Sequence, residues 1–292
     1  HCDAVTCTMF VTSMAGNPLC VALAAKALDV EITWMGWASA AIVPGLISLL
    51  LIPLLMLKLA KPELVSIPNA RSLAEKELAE MGPMSSGEKY LSIIFIVSLL
   101  LWATSGFTGI GATPVAMGAV CVMIILNVIN WQDVITEKGA WDAMFWMGSL
   151  MTLASALAKS GIIKWMAEGA GAAISSIGLG WVGSALILLL FYTYIHYCFA
   201  SVTARISALY AAFIAVCATV GAPPLMTAIV FGIFADVPIS LTHYGNGCAP
   251  IYFGGGYVSQ GEWWRDGFVA TTCTTLIYLT VGAAWWKLIG LW

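Results

Sequence analysis

Residues 192–205 read YTYIHYCFASVTAR, an apolar and aromatic run that passes into a polar cluster and ends in an arginine. The chain around this segment is almost entirely hydrophobic. An unpaired guanidinium in hydrocarbon costs about 3 kcal/mol even on the gentler insertion scales, so we expect Arg205 to face a water-filled cavity, a carboxylate or the bound substrate. Asp236 is the only acidic residue between Glu168 and Glu262, and a structural salt bridge with Arg205 is therefore the alternative to a functional role.

The composition places the chain in a lipid bilayer. Apolar residues make up 61% of the chain and charged residues 9%, and the mean hydropathy is +0.93, whereas soluble domains carry about 25% charged residues. A spanning helix needs about 20 mostly apolar residues. Shorter apolar stretches predict re-entrant hairpins or broken helices, whose free backbone groups must face protein or a water-filled cavity. The apolar stretches are residues 34–57, 90–102, 111–129, 144–157, 182–200, 206–220 and 268–288.

Two of these stretches predict a re-entrant helical hairpin. Residues 182–200 and 206–220 are separated by too few residues for the chain to leave the membrane and enter it again. The tip would present Ser201, Thr203 and free backbone N–H groups, which are the donors that bind anions at helix termini. The alternative is one continuous helix whose hydroxyls bond back to its own carbonyl groups, and a buried Arg205 argues against it.

Two further segments interrupt apolar runs with glycine and proline. Residues 238–256 read PISLTHYGNGCAPIYFGGG, which prevents a regular helix and predicts a discontinuous helix whose unwound middle lines a binding site. His243 could titrate near neutral pH there, although a lone histidine is more often a satisfied hydrogen-bonding group. Residues 9–19, MFVTSMAGNPL, repeat the pattern when Thr12 is aligned with Thr242, which predicts two structural repeats.

The few charges divide the chain. Residues 58–89 hold five of the twelve lysines and arginines, so the positive-inside rule predicts a cytoplasmic linker, with a surface helix at 70–81.

The first residue is His1 and no signal peptide precedes it, so we expect a fragment. The predicted divisions are the end of a first repeat at 1–60, the linker at 61–89, and a second repeat at 90–292 with its hairpin at 182–220, broken helix at 224–258 and terminal helix at 262–290.

Five segments together resemble the divalent anion:sodium symporter family, and most of all its 2-oxoglutarate/malate, citrate/succinate and tartrate/succinate exchangers. The resemblance covers nearly the whole chain. It implies an all-α polytopic membrane protein of the elevator type, a homodimer built from inverted repeats, in which this chain lacks the first helices and the first hairpin. The segments are MFVTSMAGNPL (9–19), EKELAEMGPMSSGEK (75–89), EKGAWDAMFWMG (137–148), FASVTARISALYAAF (199–213) and ISLTHYGNGCAPIYFGGGYVSQGEWWRDGF (239–268).

The resemblance also implies substrate-binding residues. The hairpin motif of the family is Ser-Asn-Thr, and here valine replaces the asparagine that supplies an amide in sodium-coupled members. Arg205 stands where exchangers commonly carry histidine, and an arginine keeps its charge at any pH. The positions implied to bind substrate are Ser201, Val202, Thr203, Arg205, Thr242, His243, Tyr244, Gly245, Asn246, Thr12, Ser13, Asn17 and Pro18.

The predicted function is secondary transport of di- or tricarboxylates such as succinate, malate, 2-oxoglutarate, tartrate or citrate, by sodium-independent exchange. A sodium-coupled symporter, an inactive fragment and a purely structural membrane protein are the alternatives. An intramembrane enzyme is not expected, because His196 near Ser201 has no third group to orient it. Arg205, with its charge balanced only when substrate is bound, would make the empty carrier return poorly.

No cofactor or metal ion is expected, because the sequence has no nucleotide-binding loop and no metal-ligand spacing. No basic stripe indicates nucleic acid, so the expected partners are carboxylate substrates, the lipid bilayer and a second copy of the chain. The tryptophans near predicted helix ends are expected to be interfacial anchors. The expected location is the bacterial inner membrane.

Overall fold

The computed structural model describes residues 1–60, 69–138, 178–199 and 201–292, together with scattered positions between 141 and 173. The described residues form helices joined by turns and short loops, with no strand among them. Within this part of the chain, five helices are long and apolar enough to cross a membrane: Trp34–Leu59, Ser86–Ala103, Gly180–Cys198, Val202–Thr219 and Gln260–Leu288. The predicted all-α, multi-pass membrane fold is confirmed. The expected span at 144–157 lies mostly outside the described residues.

The chain divides into two compact units, His1–Met56 with Asp142–Trp292, and Leu57–Trp141. The described α-helices, in chain order, are α1 Cys2–Met9, α2 Gly16–Leu28, α3 Trp34–Leu59, α4 Ala70–Met81, α5 Ser86–Ala103, α6 Ser105–Thr108, α7 Ala112–Ile125, α8 Trp131–Thr136, α9 Gly180–Tyr194, α10 Val202–Arg205, α11 Ala211–Thr219, α12 Pro224–Asp236, α13 Ala249–Gly254, α14 Gln260–Ile277 and α15 Ala283–Leu288. Short 3₁₀ helices cover Val11–Ser13, Ile195–Cys198 and Val237–Ser240, and π-helical turns cover Ile206–Tyr210 and Tyr278–Gly282.

The smaller unit begins with a surface helix and continues with a pair of packed helices. Helix α4 has no buried residue and carries exposed ion pairs four residues apart, such as Arg71–Glu75 at 2.8 Å. A capping box starts α5, because Ser85 and Glu88 each accept the backbone N–H of the other. Helix α5 packs against α7, and the Trp102 indole donates to the Ala112 carbonyl at 3.1 Å.

The larger unit is organised around two interrupted helices that pack on each other. Helices α1 and α2, on either side of the first interruption, both contact α12, which precedes the second interruption. Helix α12 also has a glycine where it meets α3, because a Cβ on Gly232 would lie 2.6 Å from the ring of Trp37. The terminal helix α14–α15 packs alongside α3, where Trp285 and Trp286 donate to the carbonyls of Ser39 and Ala40 at 2.7 and 2.9 Å.

Candidate functional site

The chain forms a helical hairpin at the segment that opens the sequence analysis. Helix α9 tightens into a 3₁₀ turn that ends at Cys198, and the backbone is extended at Phe199 and Ser201 before α10 begins. Phe191 and Tyr192, before the break, contact the ring of Phe213, after it, so the two arms run antiparallel. This geometry excludes one continuous helix.

The tip of this hairpin carries a hydroxyl, on Ser201, whose O–H has no acceptor among the described residues. Ser201 caps α10 by accepting the Ala204 N–H at 3.3 Å. That bond occupies a lone pair of the Ser201 oxygen and does not use its O–H hydrogen. Ser201 and Thr203 are partly exposed, whereas Val202 between them is buried. Two hydroxyl groups therefore reach the surface of the tip.

The first interruption satisfies its own backbone groups. The Nδ2 of Asn17 donates to the carbonyls of Cys7 and Phe10 at 2.9 and 3.0 Å, and the Ser13 hydroxyl lies 2.6 and 2.7 Å from the same two oxygens. These carbonyls are freed where α1 ends, and the two side chains supply the donors that a continuing helix would have given. Thr12 accepts the Trp34 indole N–H at 3.2 Å. Thr12, Ser13 and Pro18 are exposed, and Asn17 is buried.

The second interruption follows α12 as a 3₁₀ helix and a turn that ends where α13 begins. Asn246 Oδ1 accepts the Ala249 N–H at 2.6 Å and so closes this turn. Thr242 is fully buried, and among the described residues its hydroxyl has no hydrogen-bond partner. An unpaired buried hydroxyl at the interruption remains available for a ligand.

His243 lies in an aromatic cluster. Its ring centroid is 4.6 Å from that of Phe253 and 5.1 Å from that of Tyr244, and the Trp264 indole N–H donates to its Nδ1 at 3.2 Å. Because an indole can only donate, Nδ1 must be unprotonated, and the neutral ring carries its hydrogen on Nε2. His243 therefore offers a single N–H donor.

The hairpin tip meets both interruptions. A Cβ on Gly245 would lie 2.6 Å from Nε2 of His196, and the Tyr244 hydroxyl donates to the Tyr197 carbonyl at 3.1 Å, which joins the second interruption to the hairpin. On the other side, a Cβ on Gly16 would lie 2.7 Å from Cδ1 of Ile206. The sequence-predicted residues thus come from three segments that are in mutual contact through the hairpin.

Arg205 binds backbone carbonyl groups. Its side chain is fully buried, Nη1 donates to the Tyr192 carbonyl at 2.6 Å, and Nη2 donates to the Ala235 carbonyl. The guanidinium carbon also lies 4.6 Å from the centre of the Tyr192 ring, a cation–π distance. Asp236, next to Ala235, is fully buried as well. Arg205 therefore joins both arms of the hairpin to the end of α12.

Sequence reasoning missed Trp264 and Tyr197 as members of this site. Trp264 was expected to be an interfacial anchor, and its contact with His243 spans 21 residues, which no short motif indicates. Tyr197 contributes its backbone carbonyl, a group that every residue type carries. Neither contact has a signal in local spacing.

Comparison with known proteins identifies the family. The family model of the sodium:sulfate symporter transmembrane region matches residues 1–292. The chain belongs to this family. The resemblance to divalent anion:sodium symporters, and to their dicarboxylate branch, is therefore confirmed.

Curated relatives of this symporter-family chain include transport proteins of bacteria and plants. It is 41% identical over 99% of its residues to the putative malate transporter YflS of Bacillus subtilis (strain 168) and covers 60% of that protein. It is 39% identical over 99% of its residues to dicarboxylate transporter 1, chloroplastic, of Spinacia oleracea and covers 51% of it. The inner membrane protein YbhI of Escherichia coli (strain K12) is 35% identical over 98% of the chain, which covers 60% of it. The chain thus spans half to three fifths of the length of these relatives.

Proposed function

We propose that the full-length protein to which this chain belongs is a secondary transporter that exchanges dicarboxylates across a membrane. The observation that carries the proposal is the junction of three segments, the hairpin tip and two helix interruptions, within a sodium:sulfate symporter-family chain. Relatives named malate and dicarboxylate transporters match over 99% of the chain, which supports a dicarboxylate as the substrate. Bacterial relatives support a bacterial inner membrane.

The substrate contacts proposed here are neutral hydrogen-bond donors. The hydroxyls of Ser201, Thr203 and Thr242 and the Nε2–H of His243 would bind carboxylate oxygens, and Thr12 would contribute from the first interruption. Hydrogen bonds to a charged group are worth about 1.5–3 kcal/mol each. Tyr244, Gly245 and Asn246 would hold the backbone of the second interruption in place, and Ser13, Asn17 and Pro18 that of the first.

The exchange mode follows from a fixed positive charge. Backbone carbonyl dipoles stabilise the Arg205 guanidinium, but they do not cancel its net charge. Moving that charge through hydrocarbon is costly when no anion accompanies it, so the empty carrier would return slowly. The proposed movement is an elevator-like displacement within a homodimer of inverted repeats. The family description names sodium, so a sodium-coupled symporter is the second candidate.

Uptake into proteoliposomes distinguishes these two modes. Labelled malate would be offered to the full-length protein, with or without internal dicarboxylate and with or without sodium. Exchange predicts uptake that requires internal dicarboxylate and does not change with sodium. Sodium-dependent uptake into vesicles that contain no dicarboxylate would show that the carrier is a symporter.

A matched pair of threonine variants tests the hairpin tip. Thr203→Val removes the hydroxyl of a partly exposed residue at the tip while keeping the side-chain shape. We expect the KM for malate to rise about tenfold, because one hydrogen bond to a charged group is lost. Thr219→Val removes a hydroxyl that is bonded to the Val216 carbonyl at the far end of the same arm, and it should leave KM unchanged. Equal KM values for the two variants would remove Thr203 from the site.

A further inference from the structure

His196 is a buried side chain to which the proposed transport function assigns no role. It lies in the 3₁₀ turn that leads into the hairpin tip. The residue is fully buried, and within the part of the chain that the structure describes neither ring nitrogen has a hydrogen-bond partner. Buried polar groups in native proteins nearly always have a partner, so the position of this imidazole beside the site needs an explanation.

Thr242 of the second interruption is a neighbour with which His196 could pair. A Cβ on Gly245 would lie 2.6 Å from Nε2 of His196 and 3.0 Å from Oγ1 of Thr242, so the two atoms lie close together beside the same glycine. Thr242 is also fully buried, and its hydroxyl likewise has no partner among the described residues. The Tyr244 hydroxyl donates to the Tyr197 carbonyl at 3.1 Å and holds the two segments together at this point.

The protonation state of His196 decides the direction of such a bond. The Arg205 charge acts on the imidazole, and a second buried cation beside it would be strongly unfavourable, so the ring is neutral and has one N–H and one acceptor nitrogen. A carboxylate only accepts hydrogen bonds, so a Thr242 hydroxyl that binds substrate must give its hydrogen to the substrate. The Thr242 oxygen is then left to accept a hydrogen from Nε2 of His196.

We propose that His196 is a positioning residue for the substrate: when a dicarboxylate binds, Nε2–H of His196 donates to Oγ1 of Thr242, and the Thr242 O–H donates to a carboxylate oxygen. The inference rests on the dicarboxylate binding that the proposed function requires. The two bonds satisfy both buried groups and strengthen each other. They also fix the rotation of a hydroxyl that could otherwise turn to the Ile239 carbonyl, which lies 3.0 Å from the same Cβ position. The Gly245 backbone is the other polar group beside the imidazole, and a bond from His196 to it is the competing arrangement.

A double-mutant cycle in the full-length protein tests whether His196 acts through Thr242. His196→Leu removes the donor, and we expect the KM for malate exchange to rise about fivefold with an unchanged maximal rate, because one hydrogen bond is lost. His196→Gln, whose side-chain amide can donate from a position near that of Nε2, should keep a KM close to that of the wild type. In a Thr242→Val background, His196→Leu should cause no further rise in KM. An equal rise in both backgrounds would overturn the proposal.

Thr193→Val is the matched control for the cycle. Thr193 is fully buried on the same arm of the hairpin, and its hydroxyl donates to the Leu189 carbonyl of its own helix at 2.7 Å. Its loss should leave the KM for malate unchanged, alone and in the Thr242→Val background. A rise equal to that of His196→Leu would show that any buried substitution in this arm disturbs the site, and it would overturn the positioning role.

Histidine ¹⁵N NMR spectra of the full-length protein report the proposed bond without a transport assay. The His196 signals are identified by their loss in His196→Gln. At malate concentrations that saturate each protein, malate should shift the Nε2 signal of His196 in the wild type and leave it unchanged in Thr242→Val. A shift that persists in Thr242→Val, or no shift in a wild type that exchanges malate, would overturn the positioning role while the transport function stands. The expected shift in a protein that binds malate but does not transport it would keep the positioning role and remove the transport function.

Discussion

The roles of Arg205 and His243 depend on the hydrogen-bond partners that other segments of the chain supply to them. The two terminal nitrogens of the Arg205 guanidinium donate to carbonyl groups of two different helices. Arg205 therefore contributes both a positive charge and a link between these helices. The Trp264 indole fixes the proton of His243 on Nε2. The identities of Arg205 and His243 as special residues were predictable from their apolar and glycine-rich surroundings. Their partners were not, because backbone carbonyls and a distant indole leave no local pattern.

Trp264→Phe tests the proton position on His243. The variant keeps an aromatic ring against the imidazole but removes the N–H donor, so Nδ1 becomes free to bind a proton. In ¹⁵N-histidine NMR spectra of the full-length protein, we expect the wild type to show His243 with an unprotonated Nδ1 and a protonated Nε2, and the variant to show a mixture of the two neutral tautomers. Trp263→Phe is the control, because its indole nitrogen has no partner within the described residues. Identical His243 tautomer signals in Trp264→Phe and Trp263→Phe would contradict the assignment.

Helix interruptions are the elements that make the site. Glycine and proline at 238–256 and 9–19 predicted both breaks. Proline removes a helical hydrogen bond because it lacks a backbone N–H, and glycine has a low preference for the helical conformation. The way each break is closed was not predictable, because Asn17 and Asn246 cap carbonyl and N–H groups whose positions depend on tertiary packing.

The burial of two tryptophans also depends on tertiary packing and was not predictable from local sequence. Trp37 and Trp286 are fully buried core residues in place of interfacial anchors, because their indole N–H groups donate to the carbonyls of Thr8 and Ala40, each at 2.9 Å.

Two glycine variants test the contact between the hairpin and the second interruption. In Gly245→Ala the new Cβ would lie 2.6 Å from His196 Nε2 and 3.0 Å from the Ile239 carbonyl, so the two segments must move apart. Overpacking of this kind costs about 1–3 kcal/mol, and we expect a lower melting temperature together with a raised KM for malate. Gly247→Ala meets no atom within 4 Å and should behave as the wild type. A wild-type KM in Gly245→Ala would show that this contact does not shape the site.

The whole molecule is an all-α membrane protein of the sodium:sulfate symporter family, with the described site inside one of its two compact units. Composition and the apolar stretches predicted this class, because a bilayer demands long apolar helices whatever their packing. The sequence motifs predicted the family. The arrangement of the repeats and the movement that carries substrate are proposals, since the chain spans only half to three fifths of the length of the relatives it matches.

The most direct test of the fixed-charge account is efflux of labelled malate from loaded proteoliposomes that contain the full-length protein. Vesicles would be diluted into medium with or without external dicarboxylate, using wild type, Arg205→Lys and Arg205→Gln. We predict that wild type and Arg205→Lys, which keep the positive charge, release malate only when external dicarboxylate is present. Arg205→Gln, which is neutral but still donates hydrogen bonds, should release it in both media. Equal release by the wild type with and without external dicarboxylate would contradict the account.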